Sequence, residues 1–389
     1  MPVTKDTKLI LAASYGTAVG ALIFNTQPAI VGALATAFQF TETELGSIIT
    51  IVLIAVFCLV LSSFHWVHRA QSRSVVLVGA TVACFGALGL AFADSFSSVA
   101  FSLGLIGSGA AGVYVVSLAS LARSADPARA FGIAITTQVA VACFVVYLVP
   151  IYIVPSYGII GVAVLLFLLL ALAFSIAPYF SLSPSSVEMS KKPRSKQADR
   201  SAGWVMLGLG AMTIYFVGLN GTWVFLERIG VMMLLSSNVI GPALAGSLLF
   251  GAIGSVLASV LGKRINVGVA LWFSGAGFLI FVYLMLEIPG AVAFVVALVV
   301  FNIAWNFSLP YQMDLISKAD ASGRYIVLVP AAQTIGGAIG PAIAGPLLVS
   351  SGVVGVYMQL VICIALAFLF YVILANSLKG KSTVDVISQ

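Results

Sequence analysis

Apolar residues fall along this chain in long runs, each close to the twenty or so residues that a helix needs to cross about 30 Å of hydrocarbon. Twelve such runs lie near 9–32, 46–67, 74–93, 99–122, 131–154, 159–180, 203–226, 237–261, 267–287, 290–313, 325–349 and 353–376. Apart from Glu287, the last residue of its run, none contains Asp, Glu, Lys or Arg, as expected where a charge at mid-membrane costs several kcal/mol. The first run is too long for a secretory h-region and has no clear small-residue cleavage site, so it is read as a span. One long polar stretch interrupts the series, SLSPSSVEMSKKPRSKQADRSAG at 181–203, with Lys191, Lys192, Arg194, Lys196 and Arg200 set against Glu188 and Asp199. Such a stretch buries too little apolar surface to offset the cost of ordering it and reads as a flexible cationic linker. The pattern predicts an all-α membrane protein of 12 transmembrane helices in two six-helix bundles, 1–180 and 203–389, joined by a cytoplasmic linker at 181–202 and closed by a short cytoplasmic tail.

Composition supports this class: 61% of the 389 residues are hydrophobic, 8% are charged and the mean hydropathy is +1.16, where a soluble domain carries about 25% charge. The net charge of +6 belongs to span ends and to no basic, aromatic-interleaved face, so nucleic acid is not expected as a partner. With the N-terminus inside, short inner loops collect Lys5, Lys8, Arg69, Arg73, Arg123, Arg129, the linker cations, Lys263, Arg264, Lys318, Arg324, Lys379 and Lys381, and only Arg228 is left outside. Glu42, Glu44, Asp94, Glu227 and Glu287 mark the opposite face. Both termini are therefore predicted to be cytoplasmic. Cys58, Cys84, Cys143 and Cys363 sit inside apolar runs without paired or metal-ligand spacing, and neither a disulfide framework nor a metal site nor any cofactor is expected. His65 and His68 have no acid in their span to orient them, and no phosphate-binding Gly-x-x-x-x-Gly-Lys loop occurs, so neither a membrane enzyme nor nucleotide-driven pumping is indicated.

The halves echo each other about 195 residues apart. Asn25 matches Asn220, Gly46 matches Gly241, Arg69 matches Arg264 and Gln138 matches Gln333, each pair in or beside corresponding spans. One residue out of register, the loop from Ala125 to Arg129 resembles the one from Ala319 to Arg324.

Twelve spans, a cytoplasmic linker after the sixth and a parallel six-span repeat together resemble the major facilitator superfamily over essentially the whole chain. That family's loop after the second span reads Gly-x-x-x-Asp-Arg-x-Gly. Phe64, His68, Arg69, Gln71 and Arg73 stand at the matching positions, with the Arg positions kept and the acidic and glycine positions changed. The second-half counterpart is Ala258, Gly262, Lys263 and Arg264, and the eleventh run carries Gly336, Gly340, Pro341, Gly345 and Pro346, similar to a pattern that family antiporters place in the fifth. The resemblance implies a rocking-bundle secondary transporter with the first, fourth, seventh and tenth spans lining a central cavity.

Side-chain amides in hydrocarbon face protein or a wet cavity, because an unpaired one is costly. The candidate solute-binding residues are accordingly Asn25 and Gln27 in the first span, Tyr114 in the fourth with Ser117 on the same face, Asn220 and Trp223 in the seventh, Asn302, Trp305 and Asn306 in the tenth, and Gln138 and Gln333 on flanking spans. Pro28 and Gly221 are expected to open the backbone beside the two matched asparagines. The alternative for each amide is hydrogen-bond glue between helices, and for Trp223, nearer a span end, interfacial anchoring. Candidate coupling or gating residues are Glu227 and Arg228 at the outer end of the seventh span, Asp314 paired with Lys263 or Arg264 at the inner end, and Arg69. Without acids or bases inside the spans, a strongly bound polyanion or a cationic drug fits poorly. A small organic solute that bonds amides and lies on aromatic rings fits better. Expected partners are that solute, protons as coupling ion and the lipid bilayer, for a monomer in a bacterial plasma membrane. A multidrug or metabolite efflux antiporter of the same fold, or a non-transporting receptor, remains an alternative.

Overall fold

Polar residues at the edges of the apolar runs set where several helices begin. Thr41 forms a capping box: its Oγ1 accepts from the Glu44 N–H at 3.3 Å while its own N–H donates to Glu44 Oε2 at 2.8 Å, which satisfies two donors that the first turn leaves free. Ser95 and Ser98 repeat the arrangement, and Asp126 and Asn266 each accept from the backbone N–H three residues on. The computed structural model describes residues 5–67, 69–180, 196–320, 325 and 328–387. They form α1 (Lys5–Gly20), α2 (Leu22–Phe38), α3 (Glu42–Trp66), α4 (Ser72–Ala91), α5 (Phe96–Leu121), α6 (Pro127–Leu148), α7 (Val154–Ile176), α8 (Lys196–Met232), α9 (Ser237–Leu261), α10 (Val267–Glu287), α11 (Ala291–Ala319) and α12 (Val329–Ile387). A π-helical turn, Val149–Ile153, joins α6 to α7, and no β-strand occurs among the described residues. Most of the predicted linker, 181–195, lies outside them.

Where twelve spans were predicted, ten helical runs among the described residues are long and apolar enough to cross a membrane. The difference has a geometric reason. Arg129–Tyr179 and Val329–Leu378 hold 51 and 50 residues, and at helical rise either would extend about 75 Å if straight, more than twice the hydrocarbon thickness. Each is broken near its middle by a glycine, Gly158 at φ 57°, ψ −147° and Gly352 at φ 62°, ψ −159°, a region essentially closed to residues with a Cβ. The predicted runs stop and restart at these same places, so each long helical run accounts for two of the twelve. The first span is also longer than predicted, Thr7–Phe38, and its irregularity is a turn at Ala21 between α1 and α2. The helix runs unbroken through Pro28, so the expected opening there is not found.

The backbone adds to the repeat. Among the described residues the two non-glycine positions with positive φ are Gln39 (55°) and Leu234 (59°), 195 residues apart at the ends of the first and seventh spans. Gly158 and Gly352 form a further pair at a spacing of 194.

The chain divides into two compact units. The first comprises Met1–Met189 together with Val224–Val231 and Ser236–Ala245. Within it α5 packs on α1, α3 and α4, with α7 against α4 and α6 against α1. One of its buried clusters is built from small side chains, Ala12, Ala13, Val76, Val113, Val116, Ala130 and Ala134 among them. The second comprises Ser190–Trp223, Met232–Leu235 and Gly246–Gln389, with α10, α11 and α12 in mutual contact. Large apolar side chains such as Phe85, Phe92, Phe101, Trp272, Phe273 and Tyr283 point outward, the arrangement that suits lipid. Lipid tails are as apolar as leucine, so close packing of small residues holds the helices together and burial of large ones contributes less.

Candidate functional site

In the second unit the polar groups collect around the middle of α8. Gly221 and Gly340 let α8 and α12 approach so closely that a Cβ on Gly340 would meet the backbone of Gly221 and Val217. Gly221 thus serves close packing inside a continuous helix, and the local unwinding expected there is absent. Beside this crossing Asn220 is fully buried. Its Nδ2 donates to the Gly337 carbonyl at 2.7 Å, while its Oδ1 has no hydrogen-bond partner. Gln359 from α12 reaches the same place, donating from Nε2 to the Val217 and Gly340 carbonyls, each at 3.1 Å, again with Oε1 left over.

One turn along α8, Trp223 is 1% exposed and meets Trp305 of α11 edge to face at 6.3 Å. Trp305 in turn contacts Phe216 at 6.0 Å and Phe301 at 6.1 Å. Trp223 is therefore part of a buried aromatic wall and not an interfacial anchor. Asn302 bridges α11 and α9, its Nδ2 donating to Ser247 Oγ on α9 at 3.0 Å and to the Leu298 carbonyl at 3.2 Å. Asn306 donates back to the Asn302 carbonyl at 2.9 Å, and Gln333 approaches Met212 Sδ at 4.0 Å. A further chain was not singled out in the sequence: the Tyr215 and Ser308 hydroxyls lie 2.6 Å apart and Gln312 Nε2 donates to Ser308 Oγ at 3.1 Å. Gln312 and Gln359 are amides in apolar runs, the same signal that marked Asn220.

In the first unit Gln27 is fully buried on α2, and neither its Oε1 nor its Nε2 has a partner. Asn25, two residues earlier, is half-buried. Tyr114 of α5 packs its ring over Gly20, and Ser117, one turn on, lies against Gly16 with its buried hydroxyl unpartnered. Gln138 is half-buried on α6.

The charged candidates separate into two places. Toward the end of α8, within the segment that packs into the first unit, Arg228 clamps Glu42 at the start of α3, with Nε and Nη2 donating to Glu42 Oε1 at 3.1 and 2.9 Å. Glu227 is 8% exposed, and its carboxyl lies over Gly32 of α2, where a Cβ would collide with it. Asp314, predicted to pair with Lys263 or Arg264, pairs with Lys318 one turn along α11. The helix itself puts that cation within reach, at the i, i+4 spacing. Arg264 is exposed and forms no ion pair among the described residues, and the Lys263 side chain lies outside them. Asp314 and Lys318 line a cleft of about 620 Å³ with Asn266, Tyr311, Tyr371 and Asn376. Arg69 lies exposed in the short turn after α3.

Comparison with known proteins bears on the whole chain. It is similar to the crystal structure of a bacterial homolog of the human lysosomal transporter Spinster, in an inward-facing and unoccupied conformation, with a TM-score of 0.68 at 14% identity, covering 96% of each chain. It is similar to a D-xylose–proton symporter, with a TM-score of 0.72 at 15% identity over 95% of this chain and 97% of that one. The nucleoside transporter NupG gives 0.67 at 11% identity over 96% and 99%. No curated protein matches the sequence. At these identities the structural likeness shows the fold, a multi-pass bundle of membrane-crossing helices. The profile of the Major Facilitator Superfamily matches residues 13–341, most of the chain, and with the fold, the repeat and the spans in agreement, the protein belongs to that superfamily.

Proposed function

We propose that this chain is a secondary transporter that moves a small organic solute across the membrane by alternating access, with protons as the coupling ion. The observation that carries the reading is the pair of fully buried amides, Gln27 and Asn220, that keep polar atoms without partners in spans where such atoms are costly. A hydroxylated or carbonyl-bearing solute supplies such a partner at Asn220, and the Trp223–Trp305 wall of the same unit offers an apolar face to the rest of it. Solved neighbours described as a D-xylose–proton symporter and a nucleoside transporter support beginning with solutes of that kind. The cation distribution supports cytoplasmic termini.

The test begins with purified protein and a thermal-shift series of D-xylose, uridine and phenylacetate, since a ligand that binds only the folded state raises Tm by mass action. A compound that raises Tm is then radiolabelled and offered to proteoliposomes with and without an inward proton gradient. Accumulation above equilibrium under the gradient is the expected result. Binding with no flux in either condition would return the receptor alternative.

A further inference from the structure

Two carboxylates and one guanidinium meet where the end of α8 packs into the first unit. Glu42 and Glu227 are 9% and 8% exposed, and each has one buried carboxyl oxygen, Oε2 in both, without a hydrogen-bond partner. Arg228 spends both of its bonds on Glu42 Oε1. Glu227 interacts electrostatically with both Arg228 and Glu42. The third element against it, α2, presents the backbone of Gly32 and has no titratable side chain in its length. With every group ionised the cluster carries one uncompensated negative charge out of water, which is unfavourable by several kcal/mol where no partner is at hand.

We propose that Glu42, Glu227 and Arg228 form a single-proton exchange site in which the two carboxylates compete for Arg228, and the one that Arg228 does not hold takes up a proton. In the arrangement described here Arg228 holds Glu42, and Glu227 Oε2 accepts one proton from the aqueous phase, turning carboxylate to carboxylic acid and bringing the cluster from −1 to neutral. Turning Arg228 to Glu227 expels that proton and leaves Glu42 to take one. The repeat explains why the cluster has this shape: Gly32 and Glu227 occupy the same position of their respective repeats, 195 residues apart, and they touch. Glycine on one copy is what gives the carboxyl of the other its room. The site rests on the transport reading above and names its coupling group, with Glu42 as a second member that lies 186 residues from Arg228 in sequence.

Infrared difference spectroscopy of the full-length protein in lipid vesicles, stepped in pH without any solute, tests the site independently of transport. The wild type is expected to show a titrating carbonyl stretch of a protonated, sequestered carboxyl. Glu227→Gln should abolish that band. Glu42→Gln should also remove it, or move its titration by at least one pH unit, about a tenfold change in proton concentration, because Arg228 then has only Glu227 to hold. A band that titrates unchanged in Glu42→Gln overturns the competition, and one unchanged in Glu227→Gln overturns the site. Should either variant fail to elute as folded protein, the wild type still decides. Absence of the band at every pH step, or its removal by saturating Na⁺ at fixed pH, overturns the proton assignment, the latter in favour of a sodium site. Flux of solute in the same vesicles is read separately, so a transporter without this site is recognisable.

Discussion

Gln27 and Asn220 occupy comparable surroundings but use them differently, and substitution should separate binding from stability. Gln27→Leu removes an amide with no partner in the folded protein, so Tm is expected to hold or rise while solute affinity falls by about 1–3 kcal/mol, the cost of the lost partner. Asn220→Leu also forfeits the bond to the Gly337 carbonyl, worth about 0.6 kcal/mol for such a pair in a membrane, so its Tm should fall along with affinity. Isothermal titration and thermal shift on the same samples check both, and a Gln27→Leu protein that binds normally would remove that residue from the site. Asp314→Asn should change stability by less than about 0.5 kcal/mol, because the Lys318 pair is half-exposed and local. At this scale the sequence shows which residues are polar where polarity is expensive, hence Asn220, Asn302 and Trp305. It does not show what each one faces. Asn302 bonds Ser247 and Glu42 bonds Arg228, contacts that arise only when distant segments are folded together.

Helices in this protein are joined by two devices, and each gives a distinct response to an added methyl group. At the α8–α12 crossing a Cβ on Gly340 meets backbone that cannot move aside. Gly340→Ala is therefore expected to push the helices apart, at about 1–3 kcal/mol for overpacking, with solute affinity falling in parallel because Asn220 lies on the same crossing. At Gly158 a Cβ meets nothing within 4 Å. Gly158→Ala should cost about 1–3 kcal/mol through the backbone alone and leave solute affinity untouched. Thermal melts with binding on both variants distinguish the two. Hydropathy placed two helix starts a few residues late, at 46 and 99 against Glu42 and Phe96, although Thr41, Ser95 and Asn266 carry capping chemistry that marks such starts. The expected Pro28 opening is absent, because a proline in a well-packed helix need not break it, and the irregularity falls at Ala21, which nothing in its side chain marks.

For the whole molecule, hydropathy made the span set readable because in a membrane protein it reports the solvent of each segment directly. The repeat was readable from side chains, and the backbone pairs Gln39 with Leu234 and Gly158 with Gly352 add to it without depending on residue identity. Placement of the segments Val224–Val231 and Ser236–Ala245 with the first unit was not readable, since no local pattern says which neighbour a helix end chooses. Cysteine placed at Ser186 is expected to react with an impermeant maleimide only after the cytoplasmic side is opened, and labelling of intact cells would reverse the topology. The glycine turns have a practical consequence for anything that recognises the protein from outside the bilayer. Where Gly158 and Gly352 break the helical runs, span follows span with only three or four intervening residues, 155–158 and 350–352. An antibody, a protease or an inserted epitope finds no handle at either turn, and a tag placed there must break a helix to be seen.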